Sequence, residues 1–364
     1  MQGKELNFKV NLTYGDDNIQ DDGFGSLLQL MFVFFGVIMP IIGVIGIIGN
    51  ILTGIVLFRR EMRSTTVYFL RTLLITDSGI ILGAIMGVSI ISITQLDSKE
   101  LLFNDVIYPH IFTPINYFVM ALQTLNVWTT VAVTVERYIA ICLPFKSINI
   151  CNRRNAYIMI GITTLLSVVY NIPRCFATGF TTCGDRCYMV ITTDFGKSYF
   201  YTTVYSEWLY TILIYVIPLL MLGVLNTLLI KELMRMRKRR SVTNTKENTE
   251  FNLGIVLVII VVVFIICQTP GLVAQFYFLD ADFLMQWTCV SNTLFVLNSS
   301  VNFIIYTAVG KKFRTVLLKI ITKCLCGSGA SSNIDREVTS LTTIKETYVS
   351  GVTCDELSAL TTGD

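Results

Sequence analysis

Charged residues are scarce in this chain. Asp, Glu, Lys and Arg make up 15% of its 364 residues, whereas hydrophobic residues make up 53%. Because a soluble domain carries about a quarter charged residues, this composition excludes an ordinary soluble domain and indicates a membrane protein. The formal net charge of +3 is too small to indicate a nucleic-acid partner, and a single histidine excludes a metal site built from several histidines.

Cysteine is absent from the first 141 residues, although the chain has ten. The topology predicted below places four of the remaining cysteines on the outer side of a membrane, namely Cys175, Cys183, Cys187 and Cys289. Four cysteines allow three pairings, and the sequence does not choose among them. We slightly favour a bridge between Cys183 and Cys187, since it would close a small hairpin by itself.

Seven runs are long and apolar enough to cross a bilayer, because a spanning helix needs about 20 mostly apolar residues. They are Leu27–Phe58, Val67–Ile93, Ile107–Cys142, Tyr157–Ile172, Trp208–Ile230, Leu253–Phe278 and Phe283–Ala308. The polar, acidic stretch before them does not have the pattern of a cleavable leader. We therefore predict an all-α membrane protein. It comprises a tail (1–26), a seven-transmembrane helix bundle (27–309), a short amphipathic eighth helix (310–326) and a disordered tail (327–364).

The loops differ in charge on the two sides of the predicted membrane. Lys and Arg cluster after the first, third, fifth and seventh runs, while the alternate loops carry mostly Asp and Glu. Since short basic loops stay in the cytoplasm, the pattern predicts an outer N-terminus and an inner C-terminus in the plasma membrane. Asn11, in Asn11-Leu12-Thr13, is then a glycosylation acceptor. Cys324 and Cys326 follow the amphipathic segment and are either acylated or unmodified thiols.

An isolated carboxylate, Asp77, lies in the middle of the second run. A charge there needs a partner or a proton. Polar residues on other runs can supply partners, and the predicted network comprises Asn50, Asp77, Asn126, Asn298, Ser299 and Asn302. Its oxygen atoms could bind Na⁺; alternatively, a protonated or water-solvated Asp77 merely ties the helices together.

A pair of charged residues, Glu136-Arg137, lies near the end of the apolar run NVWTTVAVTVERYIAICLPF. An ion pair inside such a run is costly unless it lies at a water boundary or has a function. Asn126 and Thr130 fall roughly on the same helical face as Arg137, which favours a signalling helix inside a bundle. The alternative is an arginine at the end of a span whose charged group reaches toward water.

Several motifs resemble those of rhodopsin-like G-protein-coupled receptors, and they occur in the order typical of that family. Glu136-Arg137-Tyr138 resembles the Asp/Glu-Arg-Tyr motif at the cytoplasmic end of the third helix. Cys267-Gln268-Thr269-Pro270 resembles the Cys-Trp-x-Pro hinge with Gln in place of Trp, and Pro218 stands in its expected place in the fifth run. Asn302 to Tyr306 resembles the Asn-Pro-x-x-Tyr element, although Phe303 replaces the proline. The expected disulfide from the third helix is impossible here, because no cysteine precedes Cys142.

The resemblance implies a receptor, not an enzyme, that activates a heterotrimeric G protein. Gln268, Pro270 and Pro218 would act as the hinge, and Pro270 would bend the sixth helix because it lacks an N–H group. Arg137 would leave Glu136 and, with Tyr138, Asn226 and Tyr306, contact the G protein. The Ser/Thr-rich tail would suit receptor kinases and arrestin.

A narrower resemblance concerns the ligand. The segments Gln123–Tyr138, Tyr170–Arg174, Leu225–Leu229 and Asn298–Phe303 are similar to those of invertebrate FMRFamide-type neuropeptide receptors. The ligands of that family end in Arg-Phe-amide, which implies a short amidated peptide as the ligand.

The presumed outer ends of the runs also bear on the ligand. The seventh run lacks the lysine of retinal-binding relatives, and the third has Val119 and Met120 where amine-binding relatives have Asp. Acidic and aromatic residues there suit a basic, aromatic peptide, although they equally fit topology and an interfacial aromatic belt. The predicted ligand-binding residues are Tyr117, Met120, Gln123, Glu207, Trp208, Gln275 and Trp287. The alternatives are a receptor for an unrelated peptide or a lipid and, more remotely, a transporter, for which repeats and further intramembrane charges are missing.

Overall fold

The structure, a computed structural model, describes residues 29–62, 64–94, 103–184, 187–239, 245–275 and 281–326. Within these ranges seven helical segments are long and apolar enough to cross a membrane. We label the helices α1 to α7. Their bounds are Gln29–Leu57 (α1), Thr65–Thr94 (α2), Phe103–Cys142 (α3), Arg153–Asn171 (α4), Phe200–Lys238 (α5), Thr245–Val273 (α6) and Ala281–Val309 (α7).

Short elements connect the long helices. They are the 3-10 turn Arg60–Met62 and the short helices Pro144–Ile150, Arg174–Ala177 and Asp194–Lys197. Between α4 and α5, strands β1 (Thr178–Gly184) and β2 (Cys187–Thr192) form an antiparallel hairpin with Thr178 opposite Thr192. We call the end of the bundle that carries this hairpin the hairpin end, and the other the Arg137 end.

Helix α3 lies at the centre of the bundle. It packs against α2, α4, α5 and α6, while α1 packs against α2 and α7, and α6 packs against α5 and α7. Its central residues are therefore buried on all sides, and Val127 and Val133 are at most 1% exposed. Since α3 touches so many neighbours, polar residues on it can bond to several helices at once.

Irregular turns lie in the hairpin-end halves of the helices. The π-helical segments are Phe32–Ile38, Ile85–Ser89, Phe103–Ile107, Phe200–Leu209 and Thr211–Val216. The last of them directly precedes the α-helical part of α5, whose second residue is Pro218. Proline has no N–H group to bond the preceding turn, which favours a wider turn at that place.

The residues from Lys311 onward form a separate unit, within which Lys311–Cys326 is a helix, α8. Basic and apolar residues recur along it at helical spacing, in KKFRTVLLKIITKCLC. This composition is that of an amphipathic helix at a membrane surface. Cys324 and Cys326 lie in its last turn, and their side chains lie outside the described residues.

The predicted fold class is confirmed, but the ends of several helices differ from the prediction. Helix α4 begins at Arg153 rather than Tyr157, and the fifth span begins at Phe200 rather than Trp208. Helix α6 ends at Val273, with a turn at residues 274–275. The tail 1–26 with Asn11, and the tail from residue 327, lie outside the described residues.

The disulfide in the structure joins Cys183 to Cys187 within the hairpin. Cys175 is a free thiol on the exposed side of a short helix, and Cys289 is a free thiol that is 1% exposed. Cys289 packs in an apolar cluster with Met39, Ile81 and others, so its prediction as an outer disulfide partner was wrong. The physical reason is helix rotation, because this side chain of α7 turns toward α1 and α2.

Helices α1 and α7 approach closely at Gly46. A Cβ atom built on Gly46 would collide with the hydroxyl of Ser300 and lie 2.6 Å from its Cβ. We expect Gly46→Ala to lower the free energy of unfolding by about 1–3 kcal/mol, since a core with no spare space does not accept an extra methyl group. Thermal unfolding of the purified protein in nanodiscs measures the effect.

Gly161 on α4 is the matched control, because a Cβ there meets no atom within 4 Å. Gly161→Ala should leave the melting temperature unchanged or slightly raised. Equal melting temperatures for the two variants would contradict the close packing of α1 and α7.

Candidate functional site

The Arg137 end of α3 holds a buried ion pair between adjacent residues. Arg137 Nε donates to Glu136 Oε2 at 2.6 Å, and Arg137 Nη2 donates to Glu136 Oε1 at 2.7 Å. Both side chains are more than nine-tenths buried. The two parallel bonds make this a bidentate pair, which is the strongest geometry that Arg and Glu form.

Neighbouring elements hold the carboxylate of this pair in place. The hydroxyl of Thr66 on α2 donates to Glu136 Oε2 at 3.0 Å. The thiol of Cys151 lies 3.8 Å from the carbonyl oxygen of Glu136, and Cys151 in turn accepts a bond from Thr65 through its own carbonyl. Glu136 is therefore fixed to α2 and to the segment before α4.

Apolar side chains close the bundle beside the pair. Leu229, Leu233 and Phe251 form a buried cluster of α5 and α6, on which Ile141 of α3 packs. A Cβ atom on Gly254 would lie 2.9 Å from Ile141 Cδ1, so α6 lies close to α3 here. This packing describes a closed Arg137 end.

The other residues expected at this end lie on α3, α5 and α7. Asn226 and Tyr306 are buried, and Tyr138 is partly buried. Asn226 Nδ2 donates to the carbonyl oxygen of Val258 at 3.4 Å, which joins α5 to α6, and its Oδ1 has no described partner. Asn226 Oδ1 is thus a buried acceptor that can take a further donor.

Asp77 lies in a buried network that joins three helices. Asn126 of α3 donates to Asp77 Oδ1 at 2.7 Å, and Asn302 of α7 donates to Asp77 Oδ2 at 2.7 Å. Asn126 also lies 2.9 Å from Thr76 Oγ1, which makes its amide a shared donor. Each oxygen of the carboxylate thus receives an amide N–H group, and α2, α3 and α7 are tied together.

The remaining residues of the predicted network surround this centre. Asn50 of α1 donates to the carbonyl oxygen of Ser299 at 3.3 Å. Ser299 interacts with Asp77 through its side chain, and Asn298 is buried one residue earlier on α7. No ion pair among the described residues includes Asp77, so the described partners of its carboxyl group are neutral side chains.

At the hairpin end, Trp287 joins α7 to the proline of α6. Its Nε1 donates to the carbonyl oxygen of Pro270 at 2.8 Å, and its ring stacks on Phe283 at 5.8 Å. Pro270 lies in the last turn of α6, and Gln268 is buried with an oxygen that lacks a described partner. A ligand that moves Trp287 would therefore act directly on the turn that contains the proline.

The predicted ligand-binding residues differ in how deeply the structure buries them. Gln123 is buried, while Met120, Glu207 and Gln275 are partly buried. Tyr117 turns toward α4, where its hydroxyl lies 3.5 Å from the carbonyl oxygen of Val168.

The side chain of Trp208 is 61% exposed, so it faces the surroundings of the bundle, and its prediction as a lining residue was wrong. The π-helical turn Phe200–Leu209 changes which residues of α5 face inward, and Tyr205 and Tyr210 are buried instead.

Sequence reasoning missed a buried arginine at the hairpin end. Arg174 directly follows α4, is 8% exposed, and lies over the rings of Tyr205 and Tyr210. The signal in the sequence was a basic residue beside an apolar run on the side where acidic residues prevail.

Comparison with known proteins supplies the family. A family model described as "7 transmembrane receptor (rhodopsin family)" matches residues 49–306. The FMRFamide receptor of Drosophila melanogaster is 32% identical over 316 residues, which cover 84% of this chain and 57% of that receptor. The chain thus matches little more than half the length of this relative.

Two further relatives are matched over most of their own length. The FMRFamide peptide receptor frpr-18 of Caenorhabditis elegans is 28% identical, over 80% of this chain and 70% of that protein. Neuromedin-U receptor 2 of Mus musculus is 27% identical, over 79% and 74%.

Proposed function

Because the chain belongs to the rhodopsin family of seven-transmembrane receptors, we propose that it is a G-protein-coupled receptor for a short amidated neuropeptide of the FMRFamide type. Members of this family are multi-pass membrane proteins that act as receptors rather than enzymes. The similarity to FMRFamide receptors, one of them over 84% of the chain, supports the ligand class.

The observation that carries the signalling part of this proposal is the buried Glu136–Arg137 pair. A buried bidentate ion pair is a strong interaction, and this one lies near the end of the central helix. In the closed bundle, Glu136 holds the guanidinium of Arg137. When α6 moves away from Ile141, Arg137 leaves Glu136 and its N–H donors become available to the G protein, with Tyr138, Asn226 and Tyr306 beside it.

The ligand acts at the opposite end of the bundle. A peptide between α3, α5, α6 and α7 contacts Gln123, Met120, Glu207, Gln275 and Trp287. Binding favours one of two conformations that already exist in equilibrium, because a ligand shifts an equilibrium only by its difference in affinity. Movement of Trp287 pulls on the carbonyl group of Pro270, and α6 pivots there, with Gln268 and Pro218 in the moving region.

This function fixes the orientation in the membrane. The hairpin end faces the outside of the plasma membrane, with the N-terminus there and Asn11 as a glycosylation acceptor. The Arg137 end and the basic segments face the cytoplasm, in agreement with the distribution of Lys and Arg. Receptor kinases and arrestin act on the Ser/Thr-rich tail, and α8 with Cys324 and Cys326 binds membrane lipid.

A sodium ion at Asp77 would add a further control. The residues fit a monovalent cation, because a buried carboxylate with no described cationic partner lies beside the side chain of Ser299. Asp77 would supply the charge, and Ser299 and Asn298 neutral oxygens. Bound there, the ion would stabilise the closed bundle that brings α2, α3 and α7 together.

The first prediction concerns the ion pair. Glu136→Gln removes the charge that holds Arg137, and we expect ligand-independent G-protein activation to rise about fivefold or more, as a shift of ~1 kcal/mol produces. Arg137→Ala should abolish agonist-dependent activation at normal surface expression. Nucleotide exchange on a purified G protein measures both.

Glu232→Gln is the matched control. Glu232 pairs with Arg235 at 3.3 Å on α5, but the Arg235 side chain is 70% exposed, so water screens the pair and it contributes little. Basal activation should stay at the wild-type level. Unchanged basal activity in Glu136→Gln, together with intact signalling in Arg137→Ala, would refute the proposed switch.

The second prediction concerns the peptide. Phe-Met-Arg-Phe-amide should activate the receptor in a calcium or cyclic-nucleotide assay. The same peptide with norleucine in place of Arg should be about 10-fold weaker or worse, because it loses a charged contact with Glu207. Glu207→Gln should reduce this difference between the peptides.

Asp194→Asn serves as the control here, since Asp194 is an exposed acid in a short surface helix. The difference between the two peptides should persist in this variant. Lack of activation by any amidated peptide, with activation by a lipid, would overturn the ligand class and leave the receptor assignment intact.

The third prediction concerns sodium. Replacing NaCl by choline chloride should raise the affinity of the wild-type receptor for an agonist peptide, because the ion favours the closed state. Asp77→Asn should lose this dependence in a radioligand binding assay. An equal effect of choline in wild type and variant would exclude Asp77 as the site.

A further inference from the structure

Five tyrosines and one arginine meet between α3, α4 and α5 at the hairpin end. The arginine is Arg174, and the tyrosines are Tyr170, Tyr201, Tyr205, Tyr210 and Tyr215. The guanidinium carbon of Arg174 lies 5.0 Å from the ring centre of Tyr210 and 5.6 Å from that of Tyr205. Tyr201 stacks on Tyr205, and Tyr210 meets Tyr215 edge to face. We call this set the Arg174 cluster.

The cluster holds a buried positive charge without a described counter-charge. Arg174 is more than nine-tenths buried. Its Nε donates to Asn171 Oδ1 at 3.1 Å, and its side chain also hydrogen-bonds to the neutral hydroxyl groups of Tyr201 and Tyr205. None of the ion pairs among the described residues includes it. The aromatic rings offset part of the cost of burying the charge, but a neutral amide and π-faces do not replace a carboxylate.

Other donors in the same place also lack acceptors. Gln123 is 9% exposed and its side chain interacts with Tyr210, yet its Nε2 has no described partner. The hydroxyl of Tyr170 is likewise buried without one, and the ring of Tyr170 packs 5.2 Å from that of Tyr205. Unpaired buried groups are rare in folded proteins, and here they are donors beside a cation.

Contacts from the surrounding helices keep the cluster rigid. Asn171 Nδ2 donates to the hydroxyl of Thr124 on α3 at 3.0 Å, and the hydroxyl of Tyr205 donates to the carbonyl oxygen of Tyr170 at 2.8 Å. Tyr215 reaches α6, where its hydroxyl lies 2.6 Å from the position of a Cβ atom on Gly271, the residue after Pro270. The cluster is thus a preformed arrangement that ends at the proline turn of α6.

We propose that the Arg174 cluster is a binding subsite for a carboxylate group of the ligand, supplied by an acidic side chain of the peptide. A carboxylate has two oxygens and accepts about four hydrogen bonds, which matches a guanidinium with further donors around it. It also supplies the missing negative charge, whereas an amide group supplies only an acceptor. That the carboxylate belongs to a peptide rests on the proposed function. That the cluster binds a carboxylate does not.

A small-molecule test addresses the chemistry alone. The full-length receptor in nanodiscs is heated with phenylacetate or with phenylacetamide, which has the same shape without the charge. Phenylacetate should raise the melting temperature of the wild type more than phenylacetamide, because a ligand of the folded state stabilises it by mass action. Arg174→Gln should lose the difference, and Arg174→Lys, which keeps the charge, should retain part of it if Arg174→Gln does not fold.

Arg153→Gln is the matched control, because Arg153 also lies over two tyrosine rings, Tyr68 and Tyr157, at the far end of α4 from Arg174. It should behave as the wild type does. Equal shifts with both probes, no shift with phenylacetate, or a shift that persists in Arg174→Gln would each overturn the proposal.

A peptide test addresses the ligand. Asp-Phe-Met-Arg-Phe-amide should be about 10-fold more potent than Asn-Phe-Met-Arg-Phe-amide on the wild type, as expected for a charge-assisted bond. On Arg174→Gln the two peptides should be equally potent. Equal potency on the wild type would overturn a peptide carboxylate as the occupant.

The two tests separate the two proposals. A phenylacetate-specific shift with no response to any amidated peptide would support the anionic subsite and refute the peptide function. Activation by both peptides at equal potency, without a phenylacetate-specific shift, would leave the peptide function standing and refute the subsite.

Discussion

The bidentate contact between Glu136 and Arg137 is the interaction on which the rest of the structure depends. Both groups are charged, both are buried, and both stand on α3, which packs against α2, α4, α5 and α6. Breaking such a pair without a replacement is strongly unfavourable, because a buried charge is left uncompensated. In this structure Glu136 supplies that compensation for Arg137.

Polar side chains with partners on other helices occur along the length of α3. Gln123 interacts with Tyr210 of the Arg174 cluster, Asn126 bonds to Asp77, and Arg137 pairs with Glu136 near the end of the helix. Apolar packing fills the space between them, with Val127 and Val131 in a core cluster shared with α5 and α6. A displacement of α3 at the hairpin end would therefore act on a helix whose polar side chains each bond to a different neighbour. This arrangement is a physical basis for coupling between two distant ends.

The sequence predicts features that depend on composition and on local spacing. Seven apolar runs predict seven helices, Asp77 predicts a polar network, and the spacing of Cys183 and Cys187 favours the bridge that the structure contains. The sequence does not predict the direction in which a side chain faces where that direction depends on the rotation of a helix. Cys289 turns inward and Trp208 turns outward, because the side on which a residue falls depends on packing and on the π-helical turns of α5. Arg174 was missed for the same reason, since only the fold brings tyrosines of α5 around a residue that follows α4.

The central claim is that Glu136 keeps the Arg137 end closed. Spin labels at Ile158→Cys on α4 and Asn252→Cys on α6, in a background without reactive native cysteines, report the distance across that end by electron double resonance. Without agonist, the receptor with Glu136 intact should give one short distance, and addition of Glu136→Gln should produce a second, longer population. An identical single distribution with and without Glu136→Gln would contradict the account.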